Sequence, residues 1–227
     1  MERSFFQANR FSADAAHELK TPLTILQGKI DQGLSEARDG SPEQQNYESL
    51  LEEILRLRSI IGKLLLLSQA DSGHLEITRT RFSLSWLLNV LIEDLDIIAP
   101  GIRVEEDVEP DVMIEADEEL LYQAFQNLIR NAIKYNLEED GFIRIGLETS
   151  DDRVLCSIGN SARPIPEEKQ ARLFDRFFRV NDAHDRGVDG TGLGLSLSRE
   201  ILHAHGGDIE LVQSDEVETR FLVTLPG

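Results

Sequence analysis

The sequence predicts an α-helical hairpin followed by an α+β two-layer sandwich. Two observations predict it. Two long stretches near the N-terminus carry apolar residues at three- and four-residue steps, separated by a Gly-Ser-Pro break. From residue 83 onward the pattern changes to short β-type runs interleaved with helical ones. Helices grouped against a mixed sheet form two layers around one core.

The 227 residues suffice for one large domain or two small ones, and three regions are expected: a helical domain at 1–71, a linker at 72–82 and a sandwich at 83–227. With 41% hydrophobic and 29% charged residues, the profile is that of a soluble globular chain. A net charge of −19 disfavours non-specific binding to nucleic acid or anionic lipid. The single cysteine, Cys156, excludes an internal disulfide and fits a reducing compartment. No apolar run approaches the length of a membrane span.

The first helix is expected from residue 1 to about 37. Its seam is Phe11, Ala15, Leu19, Leu26 and Ile30. His17 lies two residues from both Ala15 and Leu19, so it is rotated roughly 200° from that seam and faces solvent. Glu18 puts a carboxylate beside the imidazole, and Pro22 bends the helix one turn later. Alone, the pattern also fits an ordinary surface histidine on a coiled-coil helix. Ser41 caps the second helix, with Pro42 at its first position. That helix runs to about Ala70, and Leu50, Ile54, Leu57, Ile61 and Leu64 form a heptad seam. Leu51, Leu55 and Leu65 widen it beyond what one partner helix covers, so the hairpin is expected to dimerise into a four-helix bundle.

Arg81-Phe-Ser-Leu reads as a short strand or a helix entry, and Ser85–Ile98 has helical spacing. Ile102–Val108 and Val112–Glu115 read as strands. Asp117 caps a helix continuing to about Tyr135. Strands follow at Phe142–Glu148 and Arg153–Ile158, then a polar glycine-bearing segment at Asn181–Gly194 and a helix at Leu195–His205. Asp208–Gln213 and Arg220–Leu225 close the chain as strands. The acidic run Glu105–Asp111 reads as a solvated edge. His203 and His205, two apart on a helix, diverge and do not make a metal pair.

Two stretches of the sandwich carry chemistry. Asn127 and Asn131 are four apart and share a helix face, with Lys134 three further on. Two amide oxygens and an ammonium suit a Mg²⁺-triphosphate; a plain polar helix face is the alternative. Gly190-Thr191-Gly192-Leu193-Gly194 precedes a helix, where bare backbone amides and the positive helix end favour an anion. It is neither a Walker A loop nor a dinucleotide fingerprint, because the glycine spacing differs and no Gly-Lys-Ser/Thr follows.

Together these stretches resemble, in order and spacing, the transmitter region of sensor histidine kinases of two-component signalling systems, over essentially the whole chain. His17-Glu18-Leu-Lys-Thr21-Pro22 resembles the H box, Asn127–Tyr135 the N box, Phe174–Arg179 the F box and Gly190–Gly194 the second glycine box. The resemblance implies a dimeric phosphotransfer hairpin followed by an ATP-binding domain of the Bergerat, gyrase-like type. It implies His17 as phospho-acceptor, Glu18 orienting the proton on its far ring nitrogen, and Thr21 orienting water in a phosphatase reaction. It further implies Mg²⁺ at Asn127 and Asn131, phosphates at Lys134 and Arg179, and ATP under a lid of 181–194. Tyr135 is expected either near the nucleotide or in the core. The partners implied are a second copy and a response-regulator receiver domain. The localisation implied is the cytoplasmic part of an inner-membrane sensor whose sensor region is absent from this chain.

The departures fall in the remaining boxes. Asn160, Ala162 and Pro164 stand where the first glycine box usually offers an aspartate and two glycines. An amide oxygen still accepts from adenine's exocyclic amine, through one neutral bond. A similar Asn…Pro-Ile-Pro form belongs to metal-responsive members. Glu216-Val-Glu218-Thr219 replaces a Gly-x-Gly-Thr box, leaving only Thr219 in common. Asn127 stands where related ATPases carry a glutamate, and an amide cannot activate water. Two rival readings are a catalytically weak nucleotide-binding dimeric scaffold, favoured by the altered first glycine box, and an ATPase machine, opposed by Asn127.

Overall fold

The computed structural model describes Leu19 and residues 21–180 and 190–227. His17, Glu18, the start of the first helix and most of the polar segment 181–194 lie outside the described residues. The chain divides into two compact units, Met1–Leu75 and Glu76–Gly227.

In the first unit, helix α1 covers residues 21–36 and α2 covers Pro42–Asp71. Ser41 accepts the Gln44 N–H at 3.2 Å, satisfying one orphan donor of α2. Tyr47 lays its ring over Gly33, in the space a Cβ would need, which draws the two helices together near the turn. Arg58 of α2 donates to Gln27 of α1. Leu23 and Ile30 of α1 and Ile54 and Leu67 of α2 are buried. Leu19 and Leu26, expected in the seam, are each 48% exposed, as is Leu55, and Leu50 is 51% exposed. A two-helix hairpin can cover only part of a stripe this broad on each helix.

In the second unit, β1 (Thr80–Ser83), expected in the linker and domain start, pairs antiparallel with β3 (Met113–Ala116). Helix α3 (Leu84–Ile98) begins at once, capped by Ser83, whose hydroxyl accepts the Trp86 N–H at 3.1 Å. The main sheet contains β2 (Arg103–Val108), β4 (Phe142–Ser150), β5 (Arg153–Asn160), β6 (Asp208–Ser214) and β7 (Thr219–Pro226), in the order β2-β4-β5-β7-β6. Only β2–β4 is parallel. A parallel pair needs a crossover, and α4 (Glu118–Lys134) supplies it. A single-turn helix, α5 (Glu167–Gln170), and then α6 (Gly194–Ala204) follow β5.

Alternation divides the sheet cleanly. Ile143, Ile145, Leu147, Val154, Cys156, Ile158, Val223 and Leu225 are buried on one side, where α4 and α6 pack through Phe125, Leu128, Leu197 and Ile201. Burial pushes the Cys156 thiol up to about 12, so it acts as a small apolar side chain. The acidic run is not wholly solvated: Glu105 pairs with Arg103 and Arg144, and Glu109 accepts from Thr149. The hydrogen bonds from Arg144 hold the Glu105 carboxyl below its usual range.

Asp117 joins three segments. Its carboxylate accepts the Leu120 N–H at 3.1 Å, capping α4, and the Thr78 N–H at 2.9 Å. Its own N–H donates to His205 Nε2 at 3.0 Å. His205, 2% exposed, donates from Nδ1 to the Ile201 carbonyl at 2.7 Å, which leaves Nε2 as acceptor and the ring neutral. Burial, reinforced by Arg79, lowers its pKa against the opposing pull of the Ile201 carbonyl and Asp117. Below the ordinary histidine pKa of about 6.5 the unfolded chain therefore binds a proton that the folded one refuses, so stability falls as pH falls through that value. Denaturant unfolding is expected to show stability lost from this group as pH falls from 7.5 to 5.5, at most about 1.4 kcal/mol in total over that range. His205→Gln is expected to lose that component; identical pH slopes in both proteins would refute it.

Candidate functional site

Helix α4 sets the floor of the site. Leu121, Ala124, Phe125, Leu128, Ile129 and Ala132 fix its inner face, so Asn127, Asn131 and Lys134 come out half-buried at its edge. Tyr135 is the C-cap residue and donates its N–H to the Asn131 carbonyl at 3.1 Å. Its ring lies 4.9 Å below the Lys134 ammonium. Tyr135 thus steers the lysine by a cation–π contact.

The glycine segment meets this polar edge at both ends. A Cβ on Gly194 would touch the Asn127 side chain at 3.9 Å, and one on Gly190 would fall on the Lys134 ammonium. Gly192 lies between them at φ +70, against the backbone of Phe177 and Phe178. The Phe177 N–H donates to the Gly192 carbonyl at 2.9 Å. Leu193 is fully buried and anchors the segment, so it offers only backbone to a ligand. Thr191 is half-buried. The first-turn amides of α6 begin directly beside Asn127.

The F-box turn braces the segment from outside. Phe174 meets Phe221 edge-on at 6.2 Å and lies 5.0 Å under the Arg199 guanidinium. Phe178 is covered by Arg172 at 4.6 Å, while Phe177 is 62% exposed at φ +62. Arg179 is half-buried at the end of this turn.

Asn160 ends β5 and pairs with Thr219 of β7; both are buried, on the helix side of the sheet. The Asn160 amide nitrogen donates to the Ser161 carbonyl at 3.0 Å, which turns its oxygen away from that bond. Sequence reasoning missed the clasp beside it. Asn136 donates to the Phe142 carbonyl at 3.0 Å and accepts from the Ser161 hydroxyl, and that hydroxyl accepts the Phe142 N–H at 3.2 Å. The Leu137 N–H adds a bond to the Ser161 carbonyl at 3.2 Å. The end of α4 is thereby tied to the ends of β4 and β5. The sequence clue was a small polar residue directly after Tyr135 and another directly after Asn160. Asn136→Ala should cost about 1–3 kcal/mol by leaving these groups without their partner, read as a fall in the second unit's unfolding free energy. No change would refute the clasp.

The donor set fits a metal-bound triphosphate. Amide oxygens are hard but uncharged, so they suit a Mg²⁺ that takes its remaining ligands from phosphate and water. The ammonium and the glycine-backed amides suit the phosphates. No carboxylate replaces Asn127, so that position offers no base to activate water. Thr21 is exposed in the first unit.

Comparison with known proteins agrees with this geometry. A domain model described as "Histidine kinase-, DNA gyrase B-, and HSP90-like ATPase" matches residues 116–227, and one described as "His Kinase A (phospho-acceptor) domain" matches residues 7–73. The chain is 33% identical to the probable sensor kinase SilS of Salmonella typhimurium, over all of this chain and 46% of that protein. It is 32% identical to the sensor histidine kinase CusS of Escherichia coli K12, over all of this chain and 47% of that protein. The chain thus spans about half the length of these relatives. Among solved structures, the catalytic domain of the histidine kinase ThkA shares 32% identity at a TM-score of 0.56, covering 66% of this chain and 95% of that one. Full-length ShkA in complex with AMPPNP shares the fold at a TM-score of 0.81 and 24% identity, over 96% of this chain and 45% of that one.

Proposed function

Since the chain belongs to the sensor histidine kinases of two-component systems, as their transmitter region, we propose that it transfers the γ-phosphoryl group of ATP to its own His17 and then to an aspartate of a response-regulator receiver domain. The observation that carries the reading is the meeting of α4's polar edge with the glycine segment, Asn127 at Gly194 and Lys134 at Gly190.

Asn127 and Asn131 would hold Mg²⁺, which supplies charge neutralisation across the phosphates when bound. Lys134 and Arg179 complement the phosphate charge. Asn160, beside Thr219, accepts from the exocyclic amine of the base. The glycine segment at 190–194 brings its backbone amides to the phosphates. His17 attacks the γ-phosphorus with a ring lone pair. A P–N bond forms, the bond to the β–γ bridging oxygen breaks, and ADP departs with that oxygen. Glu18 holds the proton on the far ring nitrogen, so the attacking nitrogen stays unprotonated. Catalysis is positioning and charge neutralisation, as phosphoryl transfer requires. The amide at Asn127 keeps hydrolysis slow, so the bound nucleotide waits for a protein nucleophile. Thr21 orients water when the reaction runs as a phosphatase on the regulator.

The partly exposed Leu19, Leu26, Leu50 and Leu55 support a homodimeric bundle, since a second copy would cover them. No helix among the described residues is long and apolar enough to cross a membrane. Membrane attachment would come through a sensor region N-terminal to this piece, with the transmitter in the cytoplasm. Calorimetric titration with ATP is expected to show one site per chain in Mg²⁺ and weaker binding in EDTA; absence of binding in both would overturn the proposal.

A further inference from the structure

Glu218 is a carboxylate only 1% exposed, in the turn before β7, where the resembled pattern has a glycine. Its neighbours form one row across the sheet. Glu105, Arg144, Gly159 and Arg220 are successive cross-strand partners on β2, β4, β5 and β7. Gly159 leaves a gap in that row, and the Glu218 carboxylate fills it, in the space a Cβ on Gly159 would take. There it accepts from Arg144 Nη1 at 2.9 Å and from Arg220 Nε at 3.0 Å, with a further bond from Arg220 Nη2. Arg144 is held in turn by Glu105 at 2.7 and 2.9 Å. Asp215 pins the turn itself, accepting the N–H groups of Val217 at 2.8 Å and Glu218 at 3.0 Å. These bonds hold its carboxyl below the usual range.

The next row of the same sheet is Ile143, Asn160, Thr219 and Ser214. Its side chains alternate to the helix side, where Thr219 and Ser214 hydroxyls lie 3.3 Å apart. The carboxylate, at the entry of β7, is held by Arg220 two residues on and reaches across the side-chain-free Gly159 position to Arg144, so it ties β7 to β4 over β5 at this end. Charge-assisted bonds of this kind are directional as well as strong.

We propose that Glu218 is a positioning residue for base recognition: clamped by Arg144 and Arg220 over Gly159, it holds β5 and β7 so that Asn160 and Thr219 face the purine together. The proposal rests on the nucleotide reading above. It says that Glu218 acts on the base end of the site and not on the phosphate end.

The test compares the chain with Glu218→Ala and Glu218→Gln for binding of Mg-ATP, Mg-GTP and Mg-tripolyphosphate, the last having no base. Glu218→Ala is expected to weaken Mg-ATP about tenfold, narrow the ATP-to-GTP preference and leave tripolyphosphate affinity unchanged. Glu218→Gln keeps the volume and some bonds, so its loss is smaller and in the same direction; it carries the test if the alanine variant does not fold. Equal losses for ATP and tripolyphosphate, or lowered unfolding temperature with unchanged base preference, would overturn the positioning role alone. A parent chain that binds tripolyphosphate but shows no gain from the base overturns it as well. A parent chain that binds none of the three overturns the nucleotide reading and this proposal together.

Discussion

Asn131→Ala is expected to lower the rate of labelled phosphate incorporation by about 10³-fold while leaving the unfolding temperature within about 2 °C of the parent. The asparagine is half-buried on α4's polar edge, one turn from Asn127 and three residues before Lys134. Its backbone carbonyl takes the Tyr135 N–H, a bond that alanine keeps. Alanine is also the better helix former, so the helix loses nothing by the change. What disappears is one of two amide oxygens proposed to hold the metal. Losing such a ligand weakens metal affinity, and the transition state then loses charge neutralisation besides. Rate and melting curve are to be measured on the same preparation. Phosphorylation within a few-fold of the parent would contradict the assignment, and a collapse of both readouts would make Asn131 a structural residue.

Gly192→Ala is expected to destabilise the second unit by about 2–5 kcal/mol. Two costs add. An alanine at φ +70 pays the left-handed penalty of about 1–2 kcal/mol. Its Cβ would then lie 2.7 Å from the Phe177 carbonyl carbon and 2.8 Å from the Phe178 oxygen, both backbone. Backbone cannot rotate away as a side-chain tip can, so the F-box turn must shift, at about 1–3 kcal/mol. Phe177 is itself at φ +62 and donates to the Gly192 carbonyl, so the two turns move together. A fall of roughly 10 °C in the second unit's unfolding temperature follows from that energy. ATP affinity should fall with it, because Gly190 and Gly194 are the points where this segment reaches Lys134 and Asn127. An unfolding temperature unchanged in Gly192→Ala would contradict the packing argument.

What could be read from the sequence was what local pattern encodes. Ser41 and Asp117 announced α2 and α4, and both caps are formed. The four- and three-residue steps put Asn127, Asn131 and Lys134 on one face of α4, and all three are half-buried there. What could not be read depends on residues far apart in the chain. The parallel pairing of β2 with β4 leaves no local trace in either strand. The ambiguity at Arg81-Phe-Ser-Leu resolved into a strand followed at once by a helix, because β3 supplies the pairing. Four-residue α5 is too short for a periodic signal. Leu19 and Leu26 were assigned inward by spacing alone, yet Leu23 is the buried neighbour of Ile30. Spacing fixes which residues share a stripe and leaves open which stripe the hairpin covers. Glu218 read as a missing glycine; only the gap over Gly159 and the two arginines explain why a carboxylate can be there.

Whether His17 accepts the γ-phosphoryl group of ATP is decided by incubating the chain with γ-labelled ATP and Mg²⁺, beside a His17→Ala control, followed by acid and base treatment of the labelled protein. The label is expected to be acid-labile, base-stable and absent from the control. ATP that binds by calorimetry without labelling the chain, or label that persists in His17→Ala, would contradict that role of His17. The first of those outcomes would favour the nucleotide-binding scaffold, with Asn160, Ala162 and Pro164 the residues to examine next.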